Sequence, residues 1–157
     1  MSKRYWLMKS EPEEFSIDAL EKVGVEPWSG VRNYQVRNSM RDDMQVGDGV
    51  LFYHSSCAEP GVVGVAEIAS PARPDPTQFD PRSDYHDPGS RTDAPRWLLV
   101  DVRFRRKLRR TITLAELKDD ATLEEFALLR RGNRLSVLPV TKAQWDHILG
   151  LEKRSRP

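Results

Sequence analysis

At 157 residues the chain has the length of a single domain and enough residues to bury a sizeable core. Its composition, 31% charged and 38% apolar, is polar for a globular protein without reaching the disordered range, and a net charge of +1 excludes a global field drawing it to a polyanion or an acidic membrane. The single cysteine, Cys57, excludes an internal disulfide, and neither a run of ~20 apolar residues nor a signal-peptide core occurs, so the expectation is a soluble intracellular, cytoplasmic protein without a membrane partner.

Tyr5-Trp6-Leu7-Met8 reads as a first strand, halted at Lys9-Ser10-Glu11-Pro12 because Pro12 forces Glu11 into extended backbone. Ser16 caps a short helix with Ile17, Leu20 and Val23 on one face and Gly24 as its stop. Glu26-Pro27 leads into Trp28-Ser29-Gly30-Val31-Arg32-Asn33-Tyr34-Gln35-Val36-Arg37-Asn38. This span concentrates an indole, a phenol, two guanidiniums and three side-chain amides, with too few apolar residues for an ordinary core element. Aromatic faces stack on nucleobases, amides match their donor–acceptor edges, and arginine neutralises phosphate. The competing explanation is plain: a tryptophan at a loop-to-helix junction is more often a core anchor, and helix-borne Arg and Asn are more often solvated.

Tyr34 to Met40 is expected to be helical, and Val46-Gly47-Asp48-Gly49 to turn into the strand Gly49–His54. Ser55 to Gly61 is a polar turn, and Val62–Ile68 is an antiparallel partner in which Gly64 signals a bulge or a close approach. Pro71 to Pro95 is a long connection without trustworthy periodicity; such connections are functional or mobile. Its His86, Asp84 and Asp87 are too close together and too few for a metal site. Leu98, Val100, Val102 and Phe104 share one face of a half-buried strand. That strand continues as the basic run Arg105-Arg106-Lys107-Leu108-Arg109-Arg110, either a charged edge protecting the strand or a phosphate-contacting rim.

Three capping-box patterns follow: Thr113 with Glu116, Thr122 with Glu125, and Thr141 with Gln144. They predict helices near Leu114–Leu117, Leu123–Leu129 and Lys142–Leu149, the last with Trp145, Ile148 and Leu149 as its apolar face and Gly150 as its stop. Arg134–Leu138 is a strand ahead of Pro139. The order predicts an α+β fold, a curved β-sheet or small barrel with short peripheral helices. A single domain is expected over residues 1–151, followed by a frayed basic tail, 152–157.

No phosphate-binding glycine loop, dinucleotide fingerprint or nucleophile elbow is present, and no His/Cys cluster has metal spacing, so neither cofactor nor metal is expected. His54 and Ser55 are neighbours along a strand and point to opposite faces, so they do not pair as base and nucleophile. Polar groups recur at strand ends: Lys9-Ser10-Glu11, His54-Ser55, and Arg134 with Ser136. In a small curved sheet such ends converge on one pocket, with Trp28 as a wall.

Trp6–Pro12, Trp28–Asn38, Gly47-Asp48, Phe52–Ser55, Gly61–Gly64, Tyr85 with Asp87-Pro88, Pro95-Arg96-Trp97, and Arg134–Val137 with Pro139-Val140 together resemble the EVE domain family, nearly end to end and in order. Val36 is a small departure, standing where an alanine is common. The resemblance implies a PUA-like fold and the reading of a modified base, often a modified cytosine, in DNA or RNA. A weaker likeness to YTH readers of methylated adenine covers Lys9-Ser10, Trp28 and Gly64–Glu67, and makes Trp28 the wall of an aromatic cage.

The expected function is therefore a non-catalytic, monomeric binding module whose partner is nucleic acid carrying a modified base. Trp28 stacks on that base, and Asn33, Asn38, Ser10 and Glu11 read its edge. Tyr53 and His54 close a wall, and Trp97 adds an aromatic face. Arg32, Arg37 and Lys9 meet flanking phosphates, while Ser55, Arg134 and Ser136 complete the pocket. Two alternatives stay open: an enzyme acting on a modified nucleotide or nucleic acid with Glu11 or His54 as acid/base, and a small-molecule or peptide-binding domain.

Overall fold

The computed structural model describes residues 3–154. Strand β1 (Tyr5–Ser10) leads into helix α1 (Ile17–Val23), β2 (Val25–Pro27) and α2 (Tyr34–Asp42). Strands β3 (Gly49–His54) and β4 (Gly61–Ile68) follow, then the short pair β5 (Arg73–Pro74) and β6 (Leu98–Leu99), and the long β7 (Asp101–Thr113). Helix α3 (Leu114–Lys118), strand β8 (Val137–Val140) and helix α4 (Lys142–Leu151) come last among the described residues. Six strands form one strongly curled half-barrel in the order β2-β7-β4-β3-β1-β8, and four short helices pack around it. No helix among the described residues is long and apolar enough to cross a membrane.

The sheet is buried on both faces, which is why its central strands read as apolar runs rather than as alternation. Trp6 and Met8 of β1 join Val50 and Phe52 of β3 in a core closed by α1 and α2. The intervening Leu7 and Leu51 point the other way, into a second core with Leu117, Phe126 and Ile148. Fully burying one such side chain contributes about 1.5–3 kcal/mol. Asp48 anchors the entrance to β3: its carboxylate is buried and accepts from the Arg4 and Gln45 N–H groups and from the Trp6 indole.

Most expected elements are present. Ser16 accepts from the Ala19 N–H, Gly24 closes α1 at φ +83°, and β3 and β4 pair antiparallel. At Gly64 the register with β7 shifts and a Cβ would overlap Ile17 Cδ1, so the bulge and the close approach are both real.

Several boundaries differ, each for a visible reason. Val23 is exposed rather than packed. Val25–Pro27 is a strand, zipped onto β7 opposite Asp101–Arg103, where only a lead-in was expected. The Thr122 box does not start a helix; Asp120 caps a single 3-10 turn, Ala121–Leu123, and another turn follows at Ala127–Leu129. Strand β8 begins at Val137 and runs through Pro139, which the sheet edge tolerates because no further strand needs its missing donor. Helix α4 continues past Gly150 to Leu151. Glu152, read from sequence as the start of a frayed tail, is buried and accepts from Arg106 and from the Arg109 N–H; residues 155–157 of that segment lie outside the described residues.

Candidate functional site

Parallel pairing of β1 with β3 puts the C-terminal ends of both strands on the same edge of the sheet, and antiparallel pairing of β8 with β1 brings the start of β8 there too. Backbone bonds lock this junction: the Lys9 N–H donates to Ser136 O at 2.8 Å and the Ser55 N–H to Ser10 O at 3.0 Å. A cavity of about 500 Å³ opens over these ends, with Lys9, Ser10, Glu11, Ser55, Arg134 and Ser136 in its lining. Glu14 and Phe15 add to that side.

The facing wall is the segment after β2, with Glu26, Pro27, Trp28, Ser29, Gly30, Val31 and Arg32. Trp28 is fixed by its N–H, which donates to Val100 O at 2.8 Å. Its half-buried indole meets the Phe52 ring edge-on, centroids 5.7 Å apart. Gly30 holds φ +88°, and a Cβ there would lie 2.7 Å from Tyr85 Cζ, so only glycine admits the Tyr85 ring that covers it.

Behind this wall stands Asp75, fully buried. It accepts from the Gly30 N–H at 2.8 Å, from the Thr77 N–H and hydroxyl, and from Arg32 at 3.2 Å. Burial alone pushes this carboxyl up; the bonds from Thr77, Gly30 and Arg32 overcome it and hold it below the usual carboxylate range. Arg32 also donates to Val31 O, Tyr85 O and Thr77 Oγ1, so its guanidinium ties the wall to the Pro71–Pro95 connection.

The cavity contains cations and carboxylates that face water rather than each other. Lys9 sits lower than an ordinary lysine because it is buried, and burial raises Glu26. Neither side chain has a hydrogen-bond or ion-pair partner among the described residues. Ser10 is engaged, its hydroxyl donating to Phe15 O at 2.6 Å.

Among the residues expected in the site, Lys9, Ser10, Glu11, Trp28, Arg32, Ser55, Arg134 and Ser136 do line the cavity. Asn33 does not; its side chain caps α2, accepting from the Val36 N–H. Arg37 and Asn38 bond to each other, and Arg37 also donates to Arg96 O. Tyr53 is buried in the second core, which raises its phenol to about 12. His54 accepts the Ile17 N–H on Nε2 at 3.1 Å, and burial is the largest influence lowering its pKa, so the ring is neutral and its lone pair is occupied. Trp97 is buried against Tyr34, with its indole N–H on Asp87 at 2.7 Å.

Most cations of the basic β7 run face carboxylates, the arrangement of a charged strand edge. Arg105 and Arg103 face Glu67, Arg106 faces Glu152, Lys107 faces Asp18, and Arg110 faces Glu116. Glu26, Phe15 and Asp75 were missed. Glu26 precedes a proline and looked like a linker, and Asp75 lies in a stretch without periodicity. Among the described residues, no group of three or more His, Cys, Asp or Glu is placed to hold a metal ion.

The comparison with known proteins agrees with this architecture. A family model, the EVE domain, matches residues 4–151. Human thymocyte nuclear protein 1 is 41% identical over 96% of this chain and 74% of its own. A crystal structure from Pseudomonas putida is 51% identical with TM-score 0.91, covering 94% of this chain and 99% of that one. The crystal structure of human THYN1 protein in complex with 5-methylcytosine containing DNA is 40% identical with TM-score 0.92, covering 98% of this chain and 100% of that one. A YTH domain from Zygosaccharomyces rouxii, in complex with N6-methyladenosine RNA, shares the fold alone, at 19% identity and TM-score 0.54 over 99% of this chain and 87% of that one. On the family match and the human relative, the chain belongs to the EVE domain family.

Proposed function

We propose that the protein is a non-catalytic nucleic-acid-binding module that takes one modified nucleobase, of the modified-cytosine class, into the cavity beside Trp28. The carrying observation is the half-buried Trp28 indole on a cavity wall shared with Lys9 and Glu26, whose side chains have no partner among the described residues. A volume of about 500 Å³ suits a nucleobase with its sugar. Cytosine presents an amino donor at N4 and acceptors at N3 and O2. The carboxylates of Glu26 and Glu11 suit the donor, and the Lys9 ammonium and Ser136 hydroxyl suit the acceptors. The human THYN1 structure with 5-methylcytosine DNA supports the same ligand class. The occupied lone pair of His54 speaks against a catalytic role for that ring.

Extracting a base from a duplex costs a few kcal/mol, so single strands and weakened pairs are the preferred partners. The test is binding of the purified protein to short single- and double-stranded DNA and RNA, unmodified or carrying 5-methyl- or 5-hydroxymethylcytosine. The expected result is preference for one modified base and a loss on the order of 1–3 kcal/mol in Trp28→Ala. Equal affinity for every oligonucleotide, or full binding by a folded Trp28→Ala, overturns the reading.

A further inference from the structure

A base pocket needs a phosphate-binding edge beside it, and accounting for the guanidiniums points to where it lies. The arginines that looked suited to phosphate are engaged elsewhere. Arg32 is held by Asp75, Thr77 and backbone oxygens. Arg37 is held by Asn38 and Arg96 O, and the β7 cations face Glu67, Glu152, Asp18 and Glu116, with only the Arg109 side chain unpaired there among the described residues. Arg130, Arg131 and Arg134 are different. All three are exposed, and none has a side-chain partner among the described residues.

Their loop is nevertheless built. Asn133 frames it, donating from Nδ2 to Ala127 O at 2.8 Å and accepting the Leu135 N–H on Oδ1 at 3.0 Å. The Asn133 N–H donates to Arg130 O at 3.2 Å, and Gly132 takes φ +79° to close the turn. Leu129 and Leu135 pack the loop's two ends against the second core. Arg134 lines the cavity, and Ser136 ties the following residues to Lys9. Glu11 and Glu14 line the same cavity and repel phosphate, which leaves the arginine loop as the favourable approach.

We infer that the turn Arg130–Arg134 is the phosphate-binding rim of this protein, holding the backbone of a single nucleic-acid strand whose neighbouring base enters the Trp28 cavity; it rests on the reading of that cavity as a base pocket. A preformed turn with three forked donors recognises phosphate oxygens at little ordering cost. Arg32, Arg37, Arg103, Arg105, Arg106 and Arg110 are paired within the chain, so this loop dominates the salt dependence of binding despite a net charge of only +1.

The test is a salt titration with a short single-stranded DNA carrying one central 5-methylcytosine. On single strands each neutralised phosphate adds about 0.7 to the slope of log affinity against log salt. The variant Arg130→Ala/Arg131→Ala/Arg134→Ala is expected to flatten that slope by about 2. The affinity advantage of the wild type should then shrink about twentyfold between 50 and 200 mM salt. A control that removes the same charge elsewhere, Arg105→Ala/Lys107→Ala/Lys142→Ala, should keep the wild-type slope, and melting curves confirm that both variants fold. An unchanged slope in the loop variant, or an equal flattening in the control, overturns the rim while Trp28-dependent base preference stands. No binding of the wild type to any oligonucleotide overturns the rim and the base pocket together.

Discussion

In the connection from Pro71 to Trp97, buried polar side chains are engaged within the chain; in the cavity it borders, half-buried and exposed charged side chains have no partner among the described residues. Buried Gln78 makes all four of its hydrogen bonds, donating to Asp75 O and Trp97 O and accepting from Ser90 and the Trp97 N–H. Asp75 and Asp87 close on Gly30, Thr77, Arg32 and the Trp97 indole. Across the wall, Lys9, Glu26 and Arg134 face water. Residue type does not separate the two regions, since each holds a tryptophan, arginines and carboxylates. What separates them is commitment: satisfied groups make a rigid wall, and unsatisfied groups are the ones left to a ligand.

The sharpest way to break this contrast is to free the committed side. Asp75→Ala removes the acceptor for two backbone N–H groups, a hydroxyl and Arg32, and should cost about 3 kcal/mol of stability by denaturant unfolding. It should also loosen Gly30 and Tyr85 and weaken base binding. Asp75 is held below its ordinary pKa, so its stabilisation is full above the unfolded value near 4 and fades as pH falls through the folded one. The gap between wild type and variant should therefore narrow below about pH 4. A constant gap down to pH 2 would place the effect in packing rather than in the charge.

A smaller effect, opposite in sign for stability and binding, is expected on the uncommitted side. Burial lowers Lys9, so its charge costs stability below its folded pKa and that cost is relieved as pH rises towards the unfolded value near 10.4. Lys9→Met should leave stability equal or higher while lowering affinity for the modified oligonucleotide on the order of tenfold, the loss of one charge-assisted contact. If stability falls along with affinity, Lys9 is a structural residue and the contrast fails there.

The sequence was legible wherever local chemistry decides. Ser16 and Thr141 cap helices as their patterns predict, and the apolar runs of β1 and β3 are strands. The strand ends Lys9–Glu11, Ser55, Arg134 and Ser136 converge because β1 and β3 pair in parallel, and that pairing is beyond any local pattern. Local reading failed where partners distant in sequence compete for a side chain. Asn33 looked like a base reader and is a helix cap. Arg32 looked like a phosphate ligand until Asp75, forty-three positions away, engaged it. In the Arg105–Arg110 run, Arg105, Arg106, Lys107 and Arg110 face Glu67, Glu152, Asp18 and Glu116, pairings that exist only in three dimensions.

The far end of the molecule gives the smallest expected change and a test of insulation. Thr141 and Gln144 form a reciprocal capping box at the start of α4, the Thr141 hydroxyl accepting from the Gln144 N–H and the Gln144 carbonyl from the Thr141 N–H. Thr141→Ala should cost about 1 kcal/mol of stability. Helix α4 packs Trp145 on Tyr5 and over Gly49, at the beginnings of β1 and β3, whereas the cavity lies at their ends. Two strands locked into a six-stranded sheet should not pass a frayed helix start along their length, so affinity for the modified oligonucleotide should stay at the wild-type value. A fall in affinity matching the fall in stability would mean that α4 and the cavity share one conformational equilibrium, and that the partnerless groups at the strand ends are held in place by the whole sheet rather than by the Asp75 wall alone.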